Sequence, residues 1–123
     1  MSLLCLASGM LVAKLATSTF TLAWTHSIEK IRWEEDWQIT RTELVLTEGR
    51  IRGSGAGMEP PAGARLQDGV WHYHATRRLP RLALTHSPWA AGYTLCTPAG
   101  CRPLADHLPG LPETAVIELF PCA

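Results

Sequence analysis

Two adjoining segments alternate with a period of two, and this pattern constrains the chain more than any other. Residues 19–28 place Phe20, Leu22, Trp24, His26 and Ile28 on one face, and Thr19, Thr21, Ala23, Thr25 and Ser27 on the other. Residues 30–39 repeat the arrangement: Ile31, Trp33, Glu35, Trp37 and Ile39 share one face, and Lys30, Arg32, Glu34, Asp36 and Gln38 share the other. A helix would scatter these side chains around its circumference, so both segments read as strands. Each apolar face carries one strongly polar residue, His26 in the first strand and Glu35 in the second.

The rest of the chain reads in the same way. Ten glycines and nine prolines in 123 residues punctuate it often enough to keep its elements short. Residues 3–6 and 10–16 suit a hairpin around Ser8-Gly9. Residues 43–48 and 50–52 suit strands bent at Gly49. Asp68-Gly69 is a two-residue hairpin signal ahead of residues 70–75. Residues 79–86, 93–96, 101–104 and 114–120 complete the strands, and residues 105–108 suit one helical turn. No long helical crossover is available, so antiparallel pairing dominates. The expectation is a single all-β domain over residues 1–123, a compact antiparallel sandwich or partly closed barrel of roughly seven to nine short strands.

Eleven Lys and Arg balance eleven Asp and Glu. A nucleic-acid or membrane-surface binder needs a basic excess, so both classes are set aside. No apolar run approaches the roughly 20 residues of a membrane helix, so the chain is not expected to be an integral membrane protein. Residues 1–16 are apolar, but they lack a basic n-region and Lys14 interrupts them. They read as part of the fold rather than as a leader.

Cys96 and Cys101 flank the four residues Thr97-Pro98-Ala99-Gly100, and a hairpin there brings them to bridging distance. Cys5 and Cys122 lie near the two ends, and joining them would staple the terminal strands. Four free thiols are the alternative. A zinc site would need two close Cys/His pairs where only one exists, so no metal is expected.

His26 and Glu35 are the sharpest pair of chemical groups. Antiparallel pairing around a loop at residues 29–32 sets Leu22 against Ile39, Trp24 against Trp37, His26 against Glu35 and Ile28 against Trp33. A register two residues away would leave Glu35 opposite Trp24 and without a polar partner, at the cost of an uncompensated carboxylate. A His–Glu couple on an apolar face suits acid/base work or a polar ligand, and equally a satisfied structural pair. Ser27 and Ser87 adjoin His26 and His86, but strand neighbours point to opposite faces, and no nucleophile elbow surrounds either serine. His72 and His74 have metal-like spacing, but arginines follow them, which favours a solvent-facing strand. Gly53-Ser54-Gly55-Ala56-Gly57 is followed by Met58-Glu59-Pro60-Pro61. These cannot open a phosphate-binding helix, so no nucleotide cofactor is expected. The loop's amides retain the capacity to cradle a carboxylate. Five tryptophans suit a core or a pocket wall.

The segments from Phe20 to Lys30, Trp33-Glu34-Glu35, and Gly53 to Pro61 together resemble the bacterial domain-of-unknown-function family 1850. The His-Ser-x-Glu element at residues 26–29 and the Gly-Ala-Gly-Met element at residues 55–58 carry the likeness. Members are often encoded beside TRAP transporters of the TAXI type. The resemblance therefore implies an accessory role in solute uptake, TRAP components as partners, and a periplasmic rather than cytoplasmic setting. It supplies no catalytic residues. Candidate ligand-binding residues are His26, Ser27, Glu29, Glu35, Gly55, Gly57 and Glu59, with a small carboxylate or a partner surface as the bound species. A small enzyme using His26 and Glu35, or a purely structural partner-binding domain, are the alternatives.

Overall fold

The computed structural model describes residues 2–25, 30–53, 61–90 and 92–122. Among these, eleven strands form two antiparallel sheets. They are β1 (Leu3–Ser8), β2 (Leu11–Ala16), β3 (Thr19–Thr25), β4 (Arg32–Ile39), β5 (Leu44–Arg52), β6 (Arg65–Gln67), β7 (Val70–Leu79), β8 (Leu82–His86), β9 (Thr94–Thr97), β10 (Gly100–Pro103) and β11 (Ala115–Cys122). The smaller sheet has the order β2-β1-β11-β8, and the larger has the order β10-β9-β3-β4-β5-β7-β6. The architecture is a sandwich, not a closed barrel. The strand number exceeds the expected seven to nine, with elements as short as the three-residue β6 counted.

The core fills the gap between the sheets. Leu4, Leu6, Leu84, Ile117 and Leu119 come from the small sheet, and Phe20, Leu22, Trp37, Ile39, Leu44, Leu46 and Leu95 from the large one. A short 3₁₀ helix at Leu104–His107 adds Leu104, and Leu108 follows it into the core. The alternation that defines the strands in the sequence is what points these side chains inward. No helix among the described residues is long and apolar enough to cross a membrane.

Three local features depart from the sequence expectation. The strand expected over residues 79–86 breaks at Pro80 and Arg81, because the chain leaves the large sheet at β7 and enters the small one at β8. Proline has no N–H for a ladder, so it suits that crossing. The bend expected at Gly49 falls instead at Thr47, where the ladders of β5 with both β4 and β7 slip register. The Thr47 hydroxyl donates to the Asp36 carbonyl at 3.2 Å and holds the bulge. The 96–101 hairpin is tighter than a four-residue loop, since Thr97 pairs with Gly100 and only Pro98 and Ala99 turn. At Asp68-Gly69 both residues have positive φ, 50° and 78°, as a two-residue hairpin turn requires.

Both expected disulfides are present. Cys96 and Cys101 lie directly opposite across β9 and β10, with Cα atoms 4.0 Å apart. Cys5 and Cys122 join β1 to β11 over a sequence separation of 117. The second therefore ties the chain ends into the centre of the small sheet. The loop-closure relation assigns about 5 kcal/mol to the long closure and about 2 kcal/mol to the short one. Denaturant unfolding of Cys5→Ala/Cys122→Ala and of Cys96→Ala/Cys101→Ala is expected to show the larger loss for the first pair. Equal losses would mean that chain entropy is not how these bonds act.

Candidate functional site

The β3–β4 pair sets the site. Its observed register matches Phe20 with Trp37, Leu22 with Glu35, Trp24 with Trp33 and Thr25 with Arg32. This is four residues from the register expected from the sequence. Leu22, not His26, is the residue opposite Glu35. The pairing has a physical reason: Phe20 stacks on Trp37 with ring centroids 6.2 Å apart, and Trp24 on Trp33 at 6.1 Å. The expected register offered one aromatic pair, Trp24 with Trp37, and one ionic pair; the observed one gains a second aromatic stack in place of the ionic pair. The acid/base reading set His26 directly across from Glu35; Leu22 holds that ladder position, and His26 lies outside the described residues.

Extended across the large sheet, the register lays the inner face out in rungs. The first runs Phe20, Trp37, Leu46, Arg77. The second runs Leu95, Leu22, Glu35, Gly49, Tyr73. The third runs Trp24, Trp33, Ile51, Trp71, Leu66. Glu35 thus occupies the middle of a sheet face between two aromatic rungs. Tyr93 extends this aromatic surface, with its ring 5.7 Å from that of Trp24 and tilted by 56°.

Gly49 shapes the second rung. A Cβ at this position would overlap the Tyr73 ring, so the ring crosses the sheet over bare backbone towards Glu35. Only glycine permits that approach. The charge of Glu35 is felt by both tyrosines. Burial, and then the Glu35 carboxylate, raise the Tyr73 and Tyr93 hydroxyls above their usual range.

Glu35 itself is half-buried. Burial raises its carboxyl above the ordinary 4.5, against the opposing pull of a Trp37 hydrogen bond and the Arg77 charge. The bond is from Trp37 Nε1 to Glu35 Oε1 at 3.3 Å. No ion pair to Glu35 is found among the described residues. The Trp33 Nε1 hydrogen is buried and has no acceptor among the described residues.

The outer face of the same strands is the opposite case. Arg50 grips Asp36 with two hydrogen bonds at 2.7 and 2.8 Å, and reaches Glu48 at 2.8 Å and Glu34 at 3.1 Å. Glu34 also meets Arg32 at 3.3 Å and Arg52 at 3.2 Å, and Glu48 meets His72 at 3.2 Å. Arg50 hydrogen bonding, opposed by burial, holds Asp36 below its ordinary range. Burial opposes but does not prevent the same effect of Arg50 and Arg32 on Glu34. A groove of about 350 Å³ opens here beside Thr21, Gln38 and Thr47, but the Asp36 at its wall is already satisfied. Of the carboxylates on β4 and β5, Glu35 is the one without an arginine in contact.

The sequence candidates fare unequally. Glu35 lies in the aromatic surface just described. His26, Ser27, Glu29, Gly55, Gly57 and Glu59 lie outside the described residues. Gly53, which leads into the glycine loop, has φ 117°, a conformation that suits glycine. His72 is on the outer face with Glu48, and His74 is exposed there. No group of three or more metal-ligating side chains occurs among the described residues. Tyr73, Tyr93 and Arg77 were not singled out as site residues from the sequence, and Gly49 was read there only as a bend. Arg50 was not singled out either, although alternating charge on β4 and β5 was a usable sign of its network.

The family model for a domain of unknown function (DUF1850) matches residues 20–104. The chain belongs to that family. The matched span includes both aromatic rungs, Glu35 and the Cys96–Cys101 hairpin. No curated protein and no solved structure matches the chain.

The two faces respond to acid in opposite directions. The folded chain holds the Glu35 proton more tightly than the unfolded chain, so stability from this group is full below about 4.5 and falls as pH rises through the raised value. Glu34 and Asp36 contribute stability above their unfolded values, and it is lost as pH falls through their lowered ones. Glu35→Gln is therefore expected to melt at a higher temperature relative to wild type as pH rises from 4.5 to 7. A constant difference would show that burial does not perturb Glu35. Gly49→Ala is expected to cost about 1–3 kcal/mol by overpacking. The cost should shrink when Tyr73→Ala is combined with it, as a double-mutant cycle would read.

Proposed function

We propose that this protein is a non-catalytic solute-binding module that serves a TRAP-type transporter, and that Glu35 is the polar anchor of its ligand. The transport setting rests on the family resemblance. The site rests on one observation: Glu35 is a half-buried carboxylate that faces aromatic rings, and among the described residues only the Trp37 indole N–H is hydrogen-bonded to it. A structural carboxylate in such a place would be expected to carry an arginine, as its neighbours Glu34 and Asp36 do.

The chemistry of the surface selects the ligand. Aromatic faces and a carboxylate favour an ammonium group, through cation–π attraction and charge pairing. The positive charge of Arg77 favours an oxygen anion beside it. A simple carboxylate would meet the charge of Glu35, whereas a small zwitterion, such as an amino acid or a betaine, satisfies both demands. Its ammonium would lie at Glu35 and its carboxylate towards Arg77, whose charge already acts on Glu35.

Isothermal titration calorimetry with amino acids, betaine and small dicarboxylates tests this reading. Zwitterions are expected to bind and dicarboxylates are not. Glu35→Gln should weaken zwitterion binding at least tenfold, about 1.4 kcal/mol. Binding should also weaken as pH falls through the raised Glu35 value, because the ammonium favours the ionised carboxylate. Dicarboxylate binding that survives Glu35→Gln would place the ligand elsewhere.

A further inference from the structure

Strand β2 is the outermost strand of the four-stranded sheet, and one of its edges pairs with no other strand among the described residues. The other outer strands are guarded. Strand β6 has three residues; β10 has four and ends at Pro103; β8 has five and lies between Pro80 and Pro88. Strand β2 has six residues, Leu11-Val12-Ala13-Lys14-Leu15-Ala16, with no proline or glycine and one charge. Prolines, charges and short length are how sheet edges avoid pairing, and β2 carries little of this protection. Its outward positions are apolar apart from Lys14. Val12 is 58% exposed and Met10, in the preceding turn, is fully exposed.

We propose that β2 is a homodimer interface, at which β2 of a second copy adds antiparallel to make one continuous eight-stranded sheet. The strand is complementary to itself in one register, and that points to a second copy. Residues opposite each other in an antiparallel pair must face the same side, so a two-fold axis has to pass through a residue position. An axis at Lys14 sets two lysines against each other. An axis at Ala13 sets Leu11 against Leu15 on the inner face and Val12 against Lys14 on the outer face. The apolar layer then continues across the interface, and the Lys14 stem covers Val12 while its ammonium stays in water. Each contact occurs twice by symmetry, and the two-fold closes the assembly at two copies. The interface is one strand wide, so the dimer is weak and concentration-dependent.

Sedimentation equilibrium on the intact chain and three variants tests the register. Val12 and Lys14 are exposed, so substitutions there leave the fold intact, which circular dichroism melts check. Val12→Lys opposes two lysine pairs and is expected to raise the dimer dissociation constant at least tenfold. Val12→Glu pairs with Lys14 twice and is expected to lower it, with a gain that added salt removes. Val12→Glu with Lys14→Glu restores like charges and should lose the dimer again. A monomer at every concentration reached, including one that takes up an extended segment of another protein at this edge, overturns the proposal. So does a dimer that is indifferent to all three variants.

Discussion

The pairing of β3 with β4 governs the rest of the molecule. Once Phe20 stacks on Trp37 and Trp24 on Trp33, the position of Glu35 is no longer free. It must lie opposite Leu22 on β3 and opposite Gly49 on β5. A register two residues away would break both stacks, and a slip of one would turn the whole apolar set to solvent. The carboxylate is therefore placed on the inner face by its aromatic neighbours rather than by a partner of its own.

The same sheet separates two electrostatic regimes by the thickness of one backbone. On the outer face, Arg50 gathers Glu34, Asp36 and Glu48 into a network in which each carboxylate meets a cation. On the inner face Glu35 is surrounded by Leu22, Trp37, Tyr73 and, beyond them, Tyr93, with Arg77 acting on it only through its charge. Neighbouring positions on one strand thus carry carboxylates with opposite displacements, Glu34 and Asp36 lowered and Glu35 raised. Alternation of the backbone is sufficient to produce this, because it exposes successive side chains to different surroundings.

Much of the sandwich was legible in the sequence, for local reasons. Period-two alternation marked β3 and β4, the Asp68-Gly69 turn marked β6 and β7, and the spacing of Cys96 and Cys101 marked the β9–β10 hairpin. The terminal cysteines were legible because chain ends in a sandwich often meet in one sheet. What the sequence concealed was non-local. The β3–β4 register turned on comparing one aromatic and one ionic pair with two aromatic stacks, and the residues alone favoured the register with the ionic pair. Tyr73 and Tyr93 come from β7 and from the residue before β9, so only the assembled sheet brings them to Glu35. Gly49 read as a bend because its true role, a passage for the Tyr73 ring, requires a partner 24 residues away.

Among the described residues, Glu35 is a carboxylate held among aromatic rings with no cation in contact. Carbon-13 NMR titration of the Glu35 side-chain carboxyl in the free protein measures this directly. The expected result is a midpoint above 4.5, with the Tyr73 and Tyr93 ring signals shifting in step. A midpoint at or below 4.5, with tyrosine rings that do not respond, would mean that Glu35 is solvated or ion-paired and that the site is not as described.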